Sequence, residues 1–303
     1  MGVCPPMSFA HPRYWPTWLG IGAMRLGAWL PWRLKLALGK SIGLLAWRLA
    51  RRRRHITETN LRLCFPELDE AQRAALVRET FIANGIGLLE TATGWCRDPE
   101  HLRHRVTFKG QEHMARVQAE GKGALIIGIH FSTLDLGGAL HSLFFPADVV
   151  YRPHDNALFE RFMTRARSRI FGAAIDRRDL RGVVKRIKSG HHVWYSPDQD
   201  FGRDASVFAP FFGIDAASIK LTAKIAKMTG APVMPLMFHR NPDNRTYTLE
   251  YLPPLENFPS GDEVADAARV NAFIEQAIRK HPEQYLWLHR RFKTRPEGEP
   301  GFY

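Results

Sequence analysis

From residue 106 onward, the chain alternates short apolar runs with segments in which apolar residues recur every three to four positions. Uninterrupted apolar runs bounded by Gly or Pro predict buried strands, and the three-to-four spacing predicts helices. The predicted strands are 106–110, 123–130, 147–153, 191–198, 231–240 and 247–255. The predicted helices are 111–121, 132–144, 156–170, 180–190, 216–230 and 264–288. Strands that alternate with helices indicate βαβ units, so the sequence predicts an α/β fold with a mostly parallel central sheet flanked by helices.

The N-terminal pattern is different, because residues 15–50 are apolar with scattered basic residues. On a helix, Arg33, Lys40, Arg48 and Arg51 fall within an arc of about 80°, while Lys35 lies on the far side and could reach headgroups by snorkelling. Such a basic amphipathic helix is typical of a membrane interface. The sequence therefore predicts a membrane anchor, either one marginal span or a re-entrant hairpin, with a pair of buried core helices as the alternative.

The pattern also divides the chain into two parts. Residues 1–55 form the predicted anchor together with the basic run Arg51–Arg54, and residues 56–303 form the predicted α/β domain. Basic residues that follow an apolar segment favour the cytoplasmic side of a membrane. Within the second part, residues 63–95 predict a helical pair whose first helix starts at Pro66 and Glu67.

The net charge of the chain limits the classes of binding partner that we expect. The 303 residues include 43 Lys and Arg against 30 Asp and Glu, a formal net charge of +13, which implies nucleic acid, an anionic membrane or an acidic protein. The basic residues are clustered at Arg51–Arg54, between Arg161 and Lys188, and from Arg290 onward. Because no nucleic-acid-binding motif accompanies them, we expect no nucleic-acid partner.

Several classes of site lack sequence support. The three cysteines, Cys4, Cys64 and Cys96, are far apart and form no CxxC pair, which argues against a zinc ribbon and a disulfide scaffold. His191 and His192 have no third ligand in phase and are interpreted as strand-start residues. No phosphate-binding glycine motif follows a strand. The sequence therefore predicts no metal and no cofactor.

The candidate chemistry lies at the end of the predicted strand 123–130. His130 ends that strand and Asp135 follows five residues later, after a Ser132 that suits a helix N-cap. A strand–turn–helix break would let the Asp135 carboxylate accept a hydrogen bond from one imidazole nitrogen, leaving the other nitrogen to act as a base. The alternative is a simple capping box beside a core histidine.

Six segments then occur in a specific order: HFSTLDLGG, VVYRPHDN, IDRRDLRGVVKRIKSG, VWYSPDQDFG, GAPVMPL and PEQYLWLHRRFKTRPEG. Together they resemble the late lipid A biosynthesis acyltransferases of Gram-negative bacteria, most nearly the lauroyltransferase branch of the HxxxxD acyltransferases. The resemblance covers nearly the whole chain. It implies transfer of a lauroyl-like C12–C14 group from acyl carrier protein to the hydroxyl of a 3-hydroxyacyl chain on a Kdo-lipid A precursor, at the cytoplasmic face of the inner membrane.

The resemblance also implies roles for individual residues. His130 would be the general base and Asp135 would orient it, although many lauroyl-branch members have Glu at the Asp135 position. Arg152, Arg177 and Arg178 correspond to strand-end arginines that would hold acidic groups of the lipid, and Asp198 lies where the superfamily has an acidic substrate-contacting motif.

Two further expectations concern the partners. The remaining helical Lys and Arg residues, with Arg167 and Lys188 as examples, could dock the acidic carrier protein. The alternative acceptor is a lysophospholipid or glycerol phosphate, but the acidic loop of that group reads FPEGTRS-like, whereas this chain has SPDQDFG.

Overall fold

The computed structural model of the protein describes residues 9–303. Cys4 and the first eight residues of the predicted segment 1–55 lie outside the described residues. The helices are α1 Trp15–Trp29, α2 Trp32–Leu49, α3 Arg51–Cys64, α4 Glu70–Cys96, α5 Gln111–Ala119, α6 Leu134–Ser142, α7 Ala157–Ile170, α8 Leu180–Lys188, α9 Leu221–Thr229 and α10 Glu263–Lys280. The strands are β1 Val106–Lys109, β2 Ala124–Ile127, β3 Asp148–Tyr151, β4 Ala174–Asp176, β5 His192–Tyr195, β6 Ser206–Phe211, β7 Ile214–Ile219, β8 Val233–Arg240 and β9 Tyr247–Tyr251.

Seven strands form the central sheet in the order β1-β9-β8-β2-β5-β3-β4. All neighbouring pairs are parallel except β8 and β9, which are antiparallel. The strands β2, β5 and β8 are buried along their whole length, as expected for parallel strands covered by helices on both faces. The predicted α/β fold with a mostly parallel sheet is therefore confirmed.

The sequence prediction was wrong for residues 216–230, which do not form one helix. Phe212 and Gly213 both have positive φ and make a two-residue turn, so that β6 and β7 form an antiparallel hairpin before α9 begins. The hairpin is held from outside: Arg291 donates to the Ala217 carbonyl at 2.8 Å, and Asn271 donates to Ser218 Oγ at 2.8 Å. These partners are more than 50 residues away in sequence, so the local pattern of apolar residues gives no information about them.

The predicted helical pair over residues 63–95 is also wrong, because α4 is a single helix of 27 residues. It begins after Asp69, whose side chain accepts from the Gln72 amide while the Gln72 side chain accepts from the Asp69 amide, a complete capping box. Two glycines within α4, Gly85 and Gly87, permit close packing against neighbouring backbone.

The close packing at Gly85 is between α4 and α2. A Cβ on Gly43 would lie 2.3 Å from the Phe81 carbonyl oxygen, and a Cβ on Gly85 would lie 2.2 Å from the Gly39 carbonyl oxygen. The two backbones therefore touch directly, and α1 also packs against α4. On their inner side, the predicted anchor residues are helices packed against the protein body, as in the alternative interpretation.

Lys35 reaches into this helix interface, contrary to the snorkelling prediction. Its Nζ donates to Thr93 Oγ1 at 2.7 Å, and the residue is only 3% exposed. Burial, reinforced by the positive charges of Arg97 and Arg105, lowers the pKa of Lys35 to about 8. Arg51 also departs from the predicted arc, because α2 ends at Leu49 and Arg51 begins α3.

No described helix is both long enough and apolar enough to cross a membrane. The outer side of α1 and α2 is nevertheless apolar. Nine of the twelve exposed large hydrophobic residues in the described part of the chain lie on these two helices: Trp15, Trp18, Leu19, Leu26, Trp29, Leu34, Leu38, Leu45 and Leu49. We refer to these nine residues as the outer apolar face.

Candidate active site

The candidate site lies at the carboxyl ends of four adjacent parallel strands, β2, β5, β3 and β4. His130 follows β2, Asp198 follows β5, Arg152 follows β3, and Arg177 and Arg178 follow β4. In open α/β sheets, this edge is where ligands bind. The sheet order thus brings together residues that are up to 68 positions apart in sequence.

The loop that carries His130 is held in place by the C-terminal segment after α10. The Ser132 amide donates to the Gln284 carbonyl at 2.7 Å, and the Leu286 amide donates to the His130 carbonyl at 3.0 Å. Phe131 and Tyr285 form an isolated β-bridge between them. This segment was predicted to continue the last helix, but α10 ends at Lys280, just before Pro282, as helices usually do before a proline.

His130 forms a close pair with Asp198. The His130 Nδ1 and Asp198 Oδ1 atoms are 2.6 Å apart, and the His130 backbone amide donates to Asp198 Oδ2 at 3.0 Å. The Asp198 side chain has no exposed surface, whereas that of His130 is 24% exposed. With Nδ1 bonded to an ionised carboxylate, Nε2 of the neutral imidazole is unprotonated and can accept a proton.

The pKa values of the pair move in opposite directions. Burial alone lowers the pKa of His130, but the charge and hydrogen bond of Asp198, together with the Asp135 charge, outweigh burial and raise it. Burial alone raises the pKa of Asp198, but the charge of protonated His130 and the hydrogen bonds outweigh burial and lower it. Both shifts favour an ionised carboxylate beside an imidazole that takes up a proton more readily.

Asp135 has other hydrogen-bond neighbours than predicted. It is the second residue of α6, whose N-cap is Thr133 rather than Ser132. Its Oδ1 accepts from Trp95 Nε1 at 3.1 Å and forms an ion pair with Arg167 at 3.5 Å. The Nδ1 hydrogen bond expected from Asp135 is made by Asp198, and the Asp135 carboxylate acts on His130 through its charge.

A cavity of about 990 Å³ opens in front of His130 and Asp135. Its apolar lining includes residues of α6, β3 and β5 and the residue that follows α7: Leu134, Gly138, Val149, Trp194 and Phe171. Gly138 leaves room there, since a Cβ at this position would lie 2.8 Å from the Phe171 ring. The lining is thus suited to an apolar chain next to a polar reaction centre.

The three predicted arginines lie at the edge of the same cavity. Arg178 forms a 2.6 Å ion pair with Asp176, and Arg152 a 3.4 Å ion pair with Asp155. The hydrogen bonds from Arg178 lower the pKa of Asp176 to about 2. Both arginine side chains are mostly exposed, at 78% and 63%, so they are accessible to an anionic group.

Arg167 and Asp198 do not lie where their predicted roles would put them. Arg167 was named for carrier docking, yet its side chain is 14% exposed and lies against Asp135 and the rings of Trp95 and Tyr151. Asp198 was named for substrate contact; its side chain has no exposed surface, and its carboxylate is hydrogen-bonded to the ring and the backbone amide of His130.

His289 and Asp200 are two of the cavity-lining residues that the sequence analysis did not name. His289 lies near His130 and Asp198, and burial above all lowers its pKa to about 4. Asp200 accepts from the Thr294 amide at 2.8 Å and from Thr294 Oγ1 at 2.9 Å, which ties the cavity wall to the C-terminal segment. Asp200 is the second carboxylate of the SPDQD segment, and this was the sequence signal that could have identified it. Within the described residues, no group of three or more His, Cys, Asp or Glu side chains is arranged to hold a metal ion.

A family model and individual relatives both assign this chain to the same protein family. The family model described as "Bacterial lipid A biosynthesis acyltransferase" matches residues 6–294. The chain is 44% identical to the lipid A biosynthesis lauroyltransferase of Escherichia coli K12 over 294 residues, which cover 97% of this chain and 96% of that protein.

Two further relatives come from the same organism. The lipid A biosynthesis palmitoleoyltransferase is 40% identical, with 97% of this chain and 96% of that protein covered. The lipid A biosynthesis myristoyltransferase is 30% identical, with 96% and 91% covered. The family predicted from the sequence motifs is confirmed: the chain belongs to the bacterial lipid A biosynthesis acyltransferases.

Proposed function

We propose that this protein transfers a lauroyl-like acyl group from acyl carrier protein to the hydroxyl of a 3-hydroxyacyl chain on a Kdo-lipid A precursor. The observation that carries the proposal is the His130–Asp198 pair at a cavity that has an apolar part and an arginine edge. The family and the names of the relatives, which include a lauroyltransferase at 44% identity, support the substrate class.

The proposed reaction begins at the acceptor hydroxyl. Nε2 of His130 takes the hydroxyl proton as the oxygen attacks the thioester carbonyl carbon. The C–O bond forms, the C–S bond breaks, and the leaving thiolate takes from His130 the proton that came from the acceptor hydroxyl. Because a thioester is already activated, this needs a base and correct positioning but no covalent enzyme intermediate.

The two carboxylates have different parts in this proposal. Asp198 holds the imidazole in the tautomer that leaves Nε2 free and stabilises the imidazolium after proton transfer. Asp135 adds negative charge near His130 and holds Arg167 at the cavity. Arg152, Arg177 and Arg178 are proposed to contact the phosphate or sugar-acid groups of the acceptor, for which guanidinium offers bidentate hydrogen bonds.

The proposed location is the cytoplasmic side of the inner membrane, with the outer apolar face in contact with lipid. On α2 the exposed leucines lie beside Arg33, Lys40 and Arg48, which are also exposed. Exposed apolar residues flanked by cations suit an anionic interface. In this proposal, residues 1–55 are the membrane-facing part and residues 56–303 the acyltransferase part, although α2 packs tightly on α4.

The test is acyl transfer by purified His130→Ala. Loss of a general base typically costs 10²–10⁴-fold in rate, so we expect kcat to fall by about three orders of magnitude. His104→Ala is the matched control, because His104 is exposed and does not line the cavity. Near-normal turnover by His130→Ala, with an unchanged thermal melt, would contradict the mechanism.

The substrate assignment has its own measurement. Wild-type protein is incubated with lauroyl carrier protein and, in turn, with a Kdo-lipid A precursor, a lysophospholipid and glycerol phosphate. Mass spectrometry then measures the masses of the products. We expect a product only with the lipid A precursor, heavier by one acyl group. Efficient acylation of the lysophospholipid would instead support the alternative acceptor.

A further inference from the structure

Two neighbouring helices, α8 and α9, carry basic residues with the same spacing. Arg181, Lys185 and Lys188 follow one another at intervals of four and three residues on α8. Lys220, at the N-cap of α9, is followed at the same intervals by Lys224 and Lys227. At about 100° per residue, each set lies within an arc of about 60°. We call these six residues the basic surface.

The opposite side of each helix is buried. Val183 and Ile187 of α8 and Ile225 of α9 belong to the main core cluster, and α8 packs against α9 and β5. The apolar sides of the two helices therefore hold them on the protein body, and the cations lie on the outer sides. Arg186 is different, because it forms a two-point ion pair with Asp148 at 2.6 and 2.8 Å and serves the fold.

The basic surface has few internal partners for its charge. Neither α8 nor α9 contains an Asp or Glu. Lys220 lies 3.6 Å from Glu263. In residues 9–303, the other five side chains make no hydrogen bond or ion pair, and all five residues are exposed. So much uncompensated charge on one surface favours an acidic partner.

The basic surface is continuous with the cavity in front of His130. Lys220 and Lys224 line that cavity, and Arg177 and Arg178, which also line it, directly precede α8. A partner bound to the basic surface is therefore next to the cavity entrance. The position suits a protein that delivers one of the two substrates.

The surface chemistry favours a water-soluble protein over a bilayer. Met228 is the one exposed large hydrophobic residue on α8 and α9, both of which the structure describes in full. The residues suited to insertion into lipid lie instead on the outer apolar face, on helices that pack against α4. A membrane contact normally combines cations with inserted apolar side chains. The geometry points to a docking site, formed by the basic surface, for the acidic carrier protein that bears the acyl thioester.

This inference rests on the proposed function, and its test uses a carrier-free donor to separate the two. The variant Lys185→Glu/Lys188→Glu changes two exposed residues that do not line the cavity. Arg116→Glu/Arg245→Glu is the matched control, with the same change of charge at exposed residues on α5 and in the β8–β9 turn. Each protein is assayed with lauroyl carrier protein and with lauroyl pantetheine, which lacks the acidic protein.

We expect kcat/KM with lauroyl carrier protein to fall about tenfold or more in the α8 variant, because charge at an interface rim mainly sets the association rate. Activity with lauroyl pantetheine, and both activities of the control variant, should stay near wild type. Raising the salt concentration should weaken the wild-type reaction with carrier protein more than the pantetheine reaction.

Three results would overturn the docking site: unchanged kcat/KM with carrier protein in the α8 variant, an equal fall with both donors, or an equal fall in the control variant. Loss of binding to anionic phosphatidylglycerol vesicles with unchanged carrier kinetics would assign the surface to lipid instead.

Fluorescence anisotropy with labelled carrier protein measures docking without catalysis. If wild type transfers no acyl group from either donor, the proposed function fails. A tenfold weaker anisotropy affinity in the α8 variant would still support the surface, and equal affinity would refute it.

Discussion

At the scale of single residues, the imidazole of His130 is governed by a carboxylate that solvent does not reach. Asp198 contacts His130 twice, through the ring at 2.6 Å and through the backbone amide at 3.0 Å, so it sets the position of the loop as well as the tautomer. Asp135 is near enough to act through its charge but is bonded to Trp95 and paired with Arg167. The two carboxylates can therefore be distinguished by experiment.

Asp198→Asn removes the ionised acceptor at Nδ1 and should lower kcat by about 10³–10⁴-fold, as expected when a base is held in the wrong tautomer. Asp135→Asn, the matched control, leaves the Nδ1 hydrogen bond in place and should cost on the order of tenfold. A larger loss in Asp135→Asn than in Asp198→Asn would reverse the roles of these residues.

The pH profile gives an independent readout of the same change. In the proposed mechanism His130 acts as a base only when it is unprotonated, so its raised pKa predicts that kcat/KM falls as the pH drops through that raised value. Without the Asp198 charge, burial dominates and lowers the pKa, so the residual activity of Asp198→Asn should persist to lower pH. An acidic limb at the wild-type position would contradict this account.

At the scale of elements, α4 connects the N-terminal helices to the sheet. Glu90 in its interior pairs with Arg240 of β8 at 2.8 Å and accepts from Tyr247 of β9 at 2.7 Å. On another side, its glycines meet those of α2 backbone to backbone. A single long helix thus contacts α1 and α2 as well as the sheet, and Trp95 near its end donates a hydrogen bond to Asp135.

Gly43→Ala should destabilise the protein by about 1–3 kcal/mol, because the added methyl group would meet the Phe81 backbone at 2.3 Å and force the helices apart. Gly22→Ala in α1 is the matched control: its Cβ meets nothing within 4 Å, and alanine favours the helix by up to about 1 kcal/mol. Urea unfolding of both variants measures the difference. Equal urea midpoints for the two variants would show that the methyl group added at Gly43 fits between α2 and α4 without loss of stability.

At the scale of the whole molecule, apolar and basic surfaces lie on different elements. The outer apolar face is on α1 and α2, whereas the basic surface is on α8 and α9. The cavity in front of His130 is bordered by α7, which packs against α1, and by the residues that begin α9. This division agrees with a lipid acceptor and a protein-borne donor that approach the same cavity over different surfaces.

Leu26→Glu tests the membrane contact. Leu26 is 74% exposed, and loss of one inserted leucine corresponds to roughly 1.5–3 kcal/mol, so binding to phosphatidylglycerol vesicles should weaken about tenfold or more. Val264→Glu is the control, because Val264 is 45% exposed on α10, away from the outer apolar face. Vesicle flotation reports both variants, and equal flotation would exclude a lipid contact at Leu26.

Local pattern alone determined much of this protein. Alternating apolar runs and helical periods predict the parallel sheet, and the rule that ligands bind at strand carboxyl ends brings His130 and Arg152 to one edge. Arg177 and Arg178 were placed at strand ends only by the family resemblance, because the pattern predicted no strand at β4. Periodicity is a short-range property, so it sufficed wherever an element is defined by its own residues. It failed for the hairpin β6–β7, which is held by distant partners, and for residues 63–95, where the predicted helical pair is replaced by the single long helix α4.

Tertiary structure decided which groups meet. Asp198 is 68 residues from His130, and only the adjacency of β2 and β5 places its carboxylate at Nδ1, while the nearer Asp135 is drawn to Trp95 and Arg167. The burial of Lys35 and the exposure of Leu26 likewise depend on which side of α1 and α2 rests on α4. Spacing in sequence limits what can meet, but hydrogen bonding and close packing select the partner.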